Sequence, residues 1–191
     1  MIEIMRKALK RKFRRLARRA SPRRFARHQR GAVAVEFGLI LLPFLALMFG
    51  IMETALVFFA DQTLETAVAD SARLIMTGQA QTQNLTADTF KNAVCARIYG
   101  LFNCQSGIYV NVQTYSSFGS ITYTPPIDSN GNLKTTSFVY QPGGPGDIVV
   151  VQLFYQWPIY VSLMNLSHLS NMSGNNRLLV ATAAFRNEPY N

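Results

Sequence analysis

The sequence predicts an α+β protein in which a long N-terminal helix serves as the spine of a small, antiparallel sheet head. Three observations predict it. Residues 32–60 form a 29-residue apolar run whose only charges are Glu36 and Glu53. Beyond it Leu64, Val68, Ala72 and Ile75 recur at helical spacing, with Asp61, Glu65, Asp70 and Arg73 between them, up to Gly78. Farther on, Ile108–Val112, Asp147–Trp157 and Arg177–Arg186 read as strands bounded by turn residues.

The first 30 of the 191 residues hold 13 of the 19 Lys and Arg and a single acid, Glu3, whereas the rest holds 6 basic and 9 acidic residues. A leader of +12 followed by a body of −3 is not the pattern of a nucleic-acid module, which carries its basic stripe on a folded face. Like charges so dense repel one another in a packed fold, and Ile4, Leu9, Phe13 and Leu16 give only a weak amphipathic stripe. We read residues 1–30 as a cytoplasmic tail. The apolar run is long enough for one helix to cross a hydrocarbon core of about 30 Å. The basic cluster before it puts the N-terminus inside and the body outside, periplasmic or extracellular, by the positive-inside rule. A helix from Ala32 to Thr77 is about 69 Å long, more than twice the bilayer core, so its second half stands outside the membrane. Pro43 removes one backbone hydrogen bond and is expected to kink or locally melt it. The expected organisation is 1–31 leader, 32–60 transmembrane helix, 61–78 helix extension and 79–191 head.

In the head, Thr86 caps a short helix through Tyr99 that ends at Gly100. Ile108, Val110 and Val112 alternate with Tyr109, Asn111 and Gln113 as a half-buried strand. Asn130-Gly131 and the run from Pro142 to Gly146 are turn material, so 118–146 is a long loop or loose hairpin. Pro158 stops the strongest strand, Leu163–Met172 holds a short helix or loop, and Arg177–Arg186 is the last strand.

Few residues carry chemistry. Glu36 has two readings: an intramembrane acid, which is a functional signal by default, or an acid at headgroup depth that marks the helix start and suits its dipole. Glu53, 17 residues on, is either an interfacial acid at the outer end of the span or a second assembly contact. Cys95 and Cys104 lie nine residues apart with no Cys-x-x-Cys pattern and no nearby His. Outside the cytoplasm such a pair is expected to be bridged, stabilising by about 2–3 kcal/mol in the loop-entropy treatment. His28 sits in the tail and His168 in a Ser/Asn-rich stretch, neither placed as a general base. With no phosphate loop and no metal-spaced cluster, no catalytic residue, metal or cofactor is assigned, and the chain is read as structural.

Gly31-Ala32-Val33-Ala34-Val35-Glu36-Phe37 sets a Gly at the boundary between basic tail and apolar helix, with Glu as the fifth residue after it. This resembles the class III leader of prepilins of the Flp or tight-adherence (Tad) group. The resemblance implies that a prepilin peptidase cuts between Gly31 and Ala32 and leaves the membrane helix on the product. Gly50-Ile51-Met52-Glu53, the Ala-rich stretch 66–73, the Cys pair, the Gly146–Val151 strand and the terminal Arg186-Asn187-Glu188-Pro189 extend the similarity to TadE-like pseudopilins, of the TadE/TadF minor-pilin kind. There are departures. Phe37 stands where such leaders often have Tyr, and Asp128-Ser129-Asn130 does not match the metal-binding loop of TadG-like relatives.

The resemblance thus implies a minor pilin of an adhesive Tad pilus in the bacterial inner membrane, its head periplasmic. Its expected partners are the prepilin peptidase, other Tad/Flp pilins with their assembly machinery, and inner-membrane lipid. Cutting creates a positive amine at Ala32, and in a bundle of apolar helices that amine needs an opposite charge; Glu36 of an adjacent subunit supplies it, beside Phe37. The competing reading is an uncleaved single-pass periplasmic binding protein whose basic tail rests on anionic lipid. A third, an exported soluble protein, is disfavoured because the apolar run is too long for a signal peptide.

Overall fold

The computed structural model describes residues 29–98, 100, 102–160 and 169–190. The basic tail before residue 29, both histidines, Tyr99 and residues 163–168 lie outside the described residues. The chain divides into two compact units, Met1–Phe49 and Gly50–Asn191, and helix α1 (Gln29–Met76, 48 residues) contributes to both.

In the first unit, Leu, Ala, Val and Phe side chains favour a helix once no water competes for the backbone. α1 runs unbroken through Pro43, so the local melting considered for that position does not occur. Val33, Val35, Phe37, Leu39, Ile40, Leu42, Phe44, Leu47 and Phe49 are all exposed. α1 is long and apolar enough to cross a membrane, and none of its most apolar stretch is buried within the protein.

The second unit begins with the rest of α1, where the pattern becomes one-sided. Val57, Ala60, Leu64, Ala67, Val68, Ser71, Ala72 and Ile75 are buried, a stripe at intervals of three and four residues. Small residues at 60, 67, 71 and 72 allow close approach, and the buried Ser71 hydroxyl donates to the Ala67 carbonyl at 2.6 Å. After the turn at Gly78 come α2 (Gln79–Thr82) and α3 (Ala87–Cys95), capped by Thr86, whose side chain accepts from the Thr89 N–H. α3 ends four residues short of Tyr99 because the chain turns at Ala96 toward the Cys95–Cys104 disulfide, whose Cα atoms are 5.6 Å apart. The single turn α4 (Cys104–Gly107) leads into β1 (Ile108–Tyr115).

β1, β2 (Ile148–Pro158) and β3 (Asn176–Arg186) form one antiparallel sheet in the order β1-β2-β3. The register sets Val112 opposite Val151 and Val151 opposite Ala183. Because side chains alternate across a strand, Ile108 and Val112, Val149 to Trp157 at every second position, and Leu179 and Ala181 join the α1 stripe in one core. The opposite face buries Phe154 and Leu178 with Met172 under Tyr109, Ile127, Leu133 and Phe138. The long loop therefore covers part of the second face. It also shields the β1 edge: the Val112 N–H donates to Val139 O and the Gln141 N–H to Val112 O, both at 2.8 Å.

The last residues close the head. Gly78 has φ 78°, which a side chain tolerates poorly, and a Cβ there would fall inside the Tyr190 ring. The Glu188 N–H donates to Met76 O at 2.8 Å, supplying a partner to one of the carbonyls that a helix end leaves open. The buried Asn187 amide donates to Pro142 O at 2.9 Å and Gly144 O at 3.0 Å, while Gln81 donates to Pro142 O at 2.9 Å. The Pro142–Asp147 loop is held in turn by Asp147, whose carboxylate accepts the Gly144 N–H at 2.7 Å.

Asn187→Ala removes both of its bonds from a buried position that ties the end of the chain to the Pro142–Asp147 loop, so it is expected to destabilise the head by about 1–3 kcal/mol, read as a lower thermal midpoint. The Tyr140 hydroxyl is buried without a hydrogen bond among the described residues, and burial pushes its phenol up to about 12. Since the ordinary value is about 10, stability from the neutral ring is full below about pH 10 and lost as pH rises through the raised value. Tyr140→Phe is therefore expected to hold neutral-pH stability and flatten the alkaline loss in a pH series of thermal midpoints.

Candidate functional site

The sequence singles out Gly31, Ala32, Glu36, Phe37 and Glu53 on α1, and the disulfide pair on the head. Gly31 is the third residue of α1, and a Cβ built on it meets nothing within 4 Å. Its own fold places no steric demand for glycine there. Glu36 lies five residues on. Its side chain is exposed and surrounded along the helix by exposed Val33, Val35, Phe37 and Ile40. Among the described residues it makes no hydrogen bond or ion pair. A carboxylate in a wholly apolar surface is stable in water but costs a few kcal/mol in hydrocarbon unless a cation or donor meets it.

Glu53 is in the opposite condition. It is only 6% exposed, and its Oε1 accepts the backbone N–H of Tyr160 just past β2. The acid is engaged inside the head of its own chain, which neither the interfacial nor the intersubunit reading anticipated. The signal was present in the spacing: Glu53 precedes Val57 by four residues and continues the 57-60-64-67 buried stripe by one more turn. Charge drew attention to Glu53 as a membrane residue, whereas periodicity places it on the packed face.

The bridge between Cys95 and Cys104 ties the end of α3 to the start of α4. Beside it, Phe102 packs edge-on against Tyr155 at 4.7 Å and against Trp157 at 5.8 Å, and the Asn103 N–H donates to the Tyr155 hydroxyl at 3.3 Å. The disulfide belongs to the head's packing.

Among the described residues the arrangement offers no nucleophile, base and orienting group in one place, and its distinctive feature is the exposed apolar stretch of α1 that carries the exposed Glu36. No curated protein and no solved structure matches the chain. The family model described as TadE-like protein matches residues 31–73. That segment begins at Gly31 and runs along α1 through Glu36 and Glu53 into the stripe that packs on the sheet, so the similarity to TadE-like proteins lies in the helix.

Proposed function

We propose that the protein is a minor pilin of a tight-adherence (Tad, Flp) pilus, made as an inner-membrane precursor with its N-terminus cytoplasmic and its head periplasmic. A prepilin peptidase cuts between Gly31 and Ala32, and the helix then leaves lipid to pack among other pilin helices. The observation that carries this reading is the unburied apolar stretch of α1 with an exposed acid, inside the segment that matches the TadE-like family.

The chemistry follows from charge. Before cutting, thirteen basic residues hold the N-terminal segment at the cytoplasmic surface, and that cluster opposes transfer into a bundle of apolar helices. Hydrolysis of the Gly31–Ala32 peptide bond leaves a carboxylate on the leader and an ammonium on Ala32. The product carries one positive and one negative group, four residues apart, in an otherwise apolar stretch. In a helix bundle each needs a partner, because an unpaired buried ion costs several kcal/mol. Glu36 of one subunit meets the Ala32 ammonium of the next, and this pair sets the axial register while Val33, Val35 and Leu39 to Phe49 supply non-directional contact. Glu53, already engaged with Tyr160, has no part in this pairing.

N-terminal sequencing of the membrane-bound or fibre form is expected to begin at Ala32; a start near Met1 overturns the reading in favour of a permanently anchored protein. Gly31→Val is expected to leave the longer precursor, and since a Cβ at this position meets nothing in the protein's own fold, the block reads recognition rather than misfolding. Glu36→Ala is expected to be trimmed normally yet to lower incorporation into pili by roughly tenfold or more, the scale of deleting one partner of a buried charge pair. Quantitative immunoblotting of sheared pili measures it, and normal incorporation contradicts the pairing.

A further inference from the structure

The inner edge of the head is pinned to α1 at a definite level. After β2 ends, the Ile159 N–H donates to Asn175 O at 3.0 Å and the Asn175 side-chain amide donates back to Ile159 O at 2.6 Å. The next N–H, that of Tyr160, is held by Glu53. These bonds fix the backbone, yet the Tyr160 side chain is 81% exposed, more than any other large apolar or aromatic side chain among the described residues. At the same level and beyond it, α1 still presents apolar side chains on the faces turned away from the head: Met52, Leu56, Phe58 and Phe59 are all exposed. The first charged residue after Glu53 on α1 is Asp61. The apolar belt of the helix and the inner edge of the head therefore overlap over the seven residues from Glu53 to Phe59, about 9 Å of helix rise.

We infer that the base of the head, centred on Tyr160, is seated in the outer lipid–water interface while the chain is in the bilayer. The inference rests on the membrane reading above and adds a lipid-contact surface on the head. Two considerations select lipid as the occupant. A crossing of about 30 Å takes about 20 helical residues, so one that begins at Val33 is used up near Met52, and the belt from Met52 to Phe59 falls in the outer interfacial layer. A head pinned at Glu53 shares that layer. Tyrosine also suits such a position, with an apolar ring toward the acyl chains and a hydroxyl toward the headgroups.

The test uses the full chain reconstituted in phosphatidylcholine/phosphatidylglycerol vesicles containing lipid brominated either near the headgroup or near the chain end. Two tryptophan reporters are compared in a Trp157→Phe background, Tyr160→Trp for the head and Leu42→Trp for the helix. The expected result is quenching of both, with the reporter at 160 quenched more by the shallow bromines and the reporter at 42 more by the deep ones. Quenching at 42 with none at 160 overturns the inference and leaves the membrane helix standing. Absence of quenching at both positions overturns the membrane reading and this inference with it. If Trp157→Phe loosens the head, the increment in shallow quenching caused by Tyr160→Trp is measured with Trp157 retained, and no increment overturns the inference in the same way. A Tyr160 site occupied by a sister subunit instead of lipid gives that negative result.

Discussion

The structure depends on an imbalance: α1 carries more apolar surface than its own head can cover. From Val57 onward one face is buried on the sheet, but before it most of the large apolar side chains, Val33 to Ile40, Leu42, Phe44, Leu47, Phe49, Ile51, Met52 and Leu56 among them, lie exposed, with Leu41, Leu45 and Met48 half-buried. Each Leu, Val or Phe left exposed forgoes up to about 1.5–3 kcal/mol relative to burial, so the N-terminal half of the helix is poorly suited to water. Lipid answers the apolar requirement and leaves Glu36 unanswered. A bundle of like helices, each ending in a free amine, answers both, which is why the proposed trimming and the proposed assembly belong to one physical account.

Glu36 and Glu53, the two acids of the apolar run, differ in their surroundings. Glu53 is covered by the head and receives the Tyr160 N–H, so it fixes where the head begins along the rod. Glu36 is exposed with no partner among the described residues, and in the proposed assembly it is the acid that pairs outside the chain. Above Glu53 the head is built to be rigid. A stripe with small residues at four positions seats α1 on the sheet, the disulfide reins in α3, and the terminal residues stitch the end of α1 to the Pro142–Asp147 loop.

Much of this was legible in the sequence, because its strongest signals are periodic. Leu64, Val68, Ala72 and Ile75 gave the packed face of α1, and the alternation of the three strands gave the sheet, which the register extends only to Tyr115 and Asn176 at the ends. What was not legible depends on contacts distant in sequence. The run Arg186-Asn187-Glu188-Pro189 read as a similarity without a role, since its partners, Met76 and the Pro142–Asp147 loop, lie some 40 to 110 residues away. The early end of α3 follows from a bridge whose geometry spacing alone does not supply. Pro43 read as a place to melt, yet the helix continues through it. The bond of Glu53 to the head was missed because a charge in an apolar run is read against lipid first and against the protein's own core second.

The central claim, that Glu36 of one subunit answers the Ala32 ammonium of another, is tested most directly by zero-length crosslinking. Pili assembled from an equal mixture of nitrogen-14 and nitrogen-15 labelled subunits are treated with a carbodiimide, digested and examined by mass spectrometry. The account predicts a peptide pair joined by an amide between the Ala32 nitrogen and the Glu36 carboxyl, with mixed-isotope species present. An Ala32 amine that stays unlinked, or that links only within one isotopic population, contradicts it.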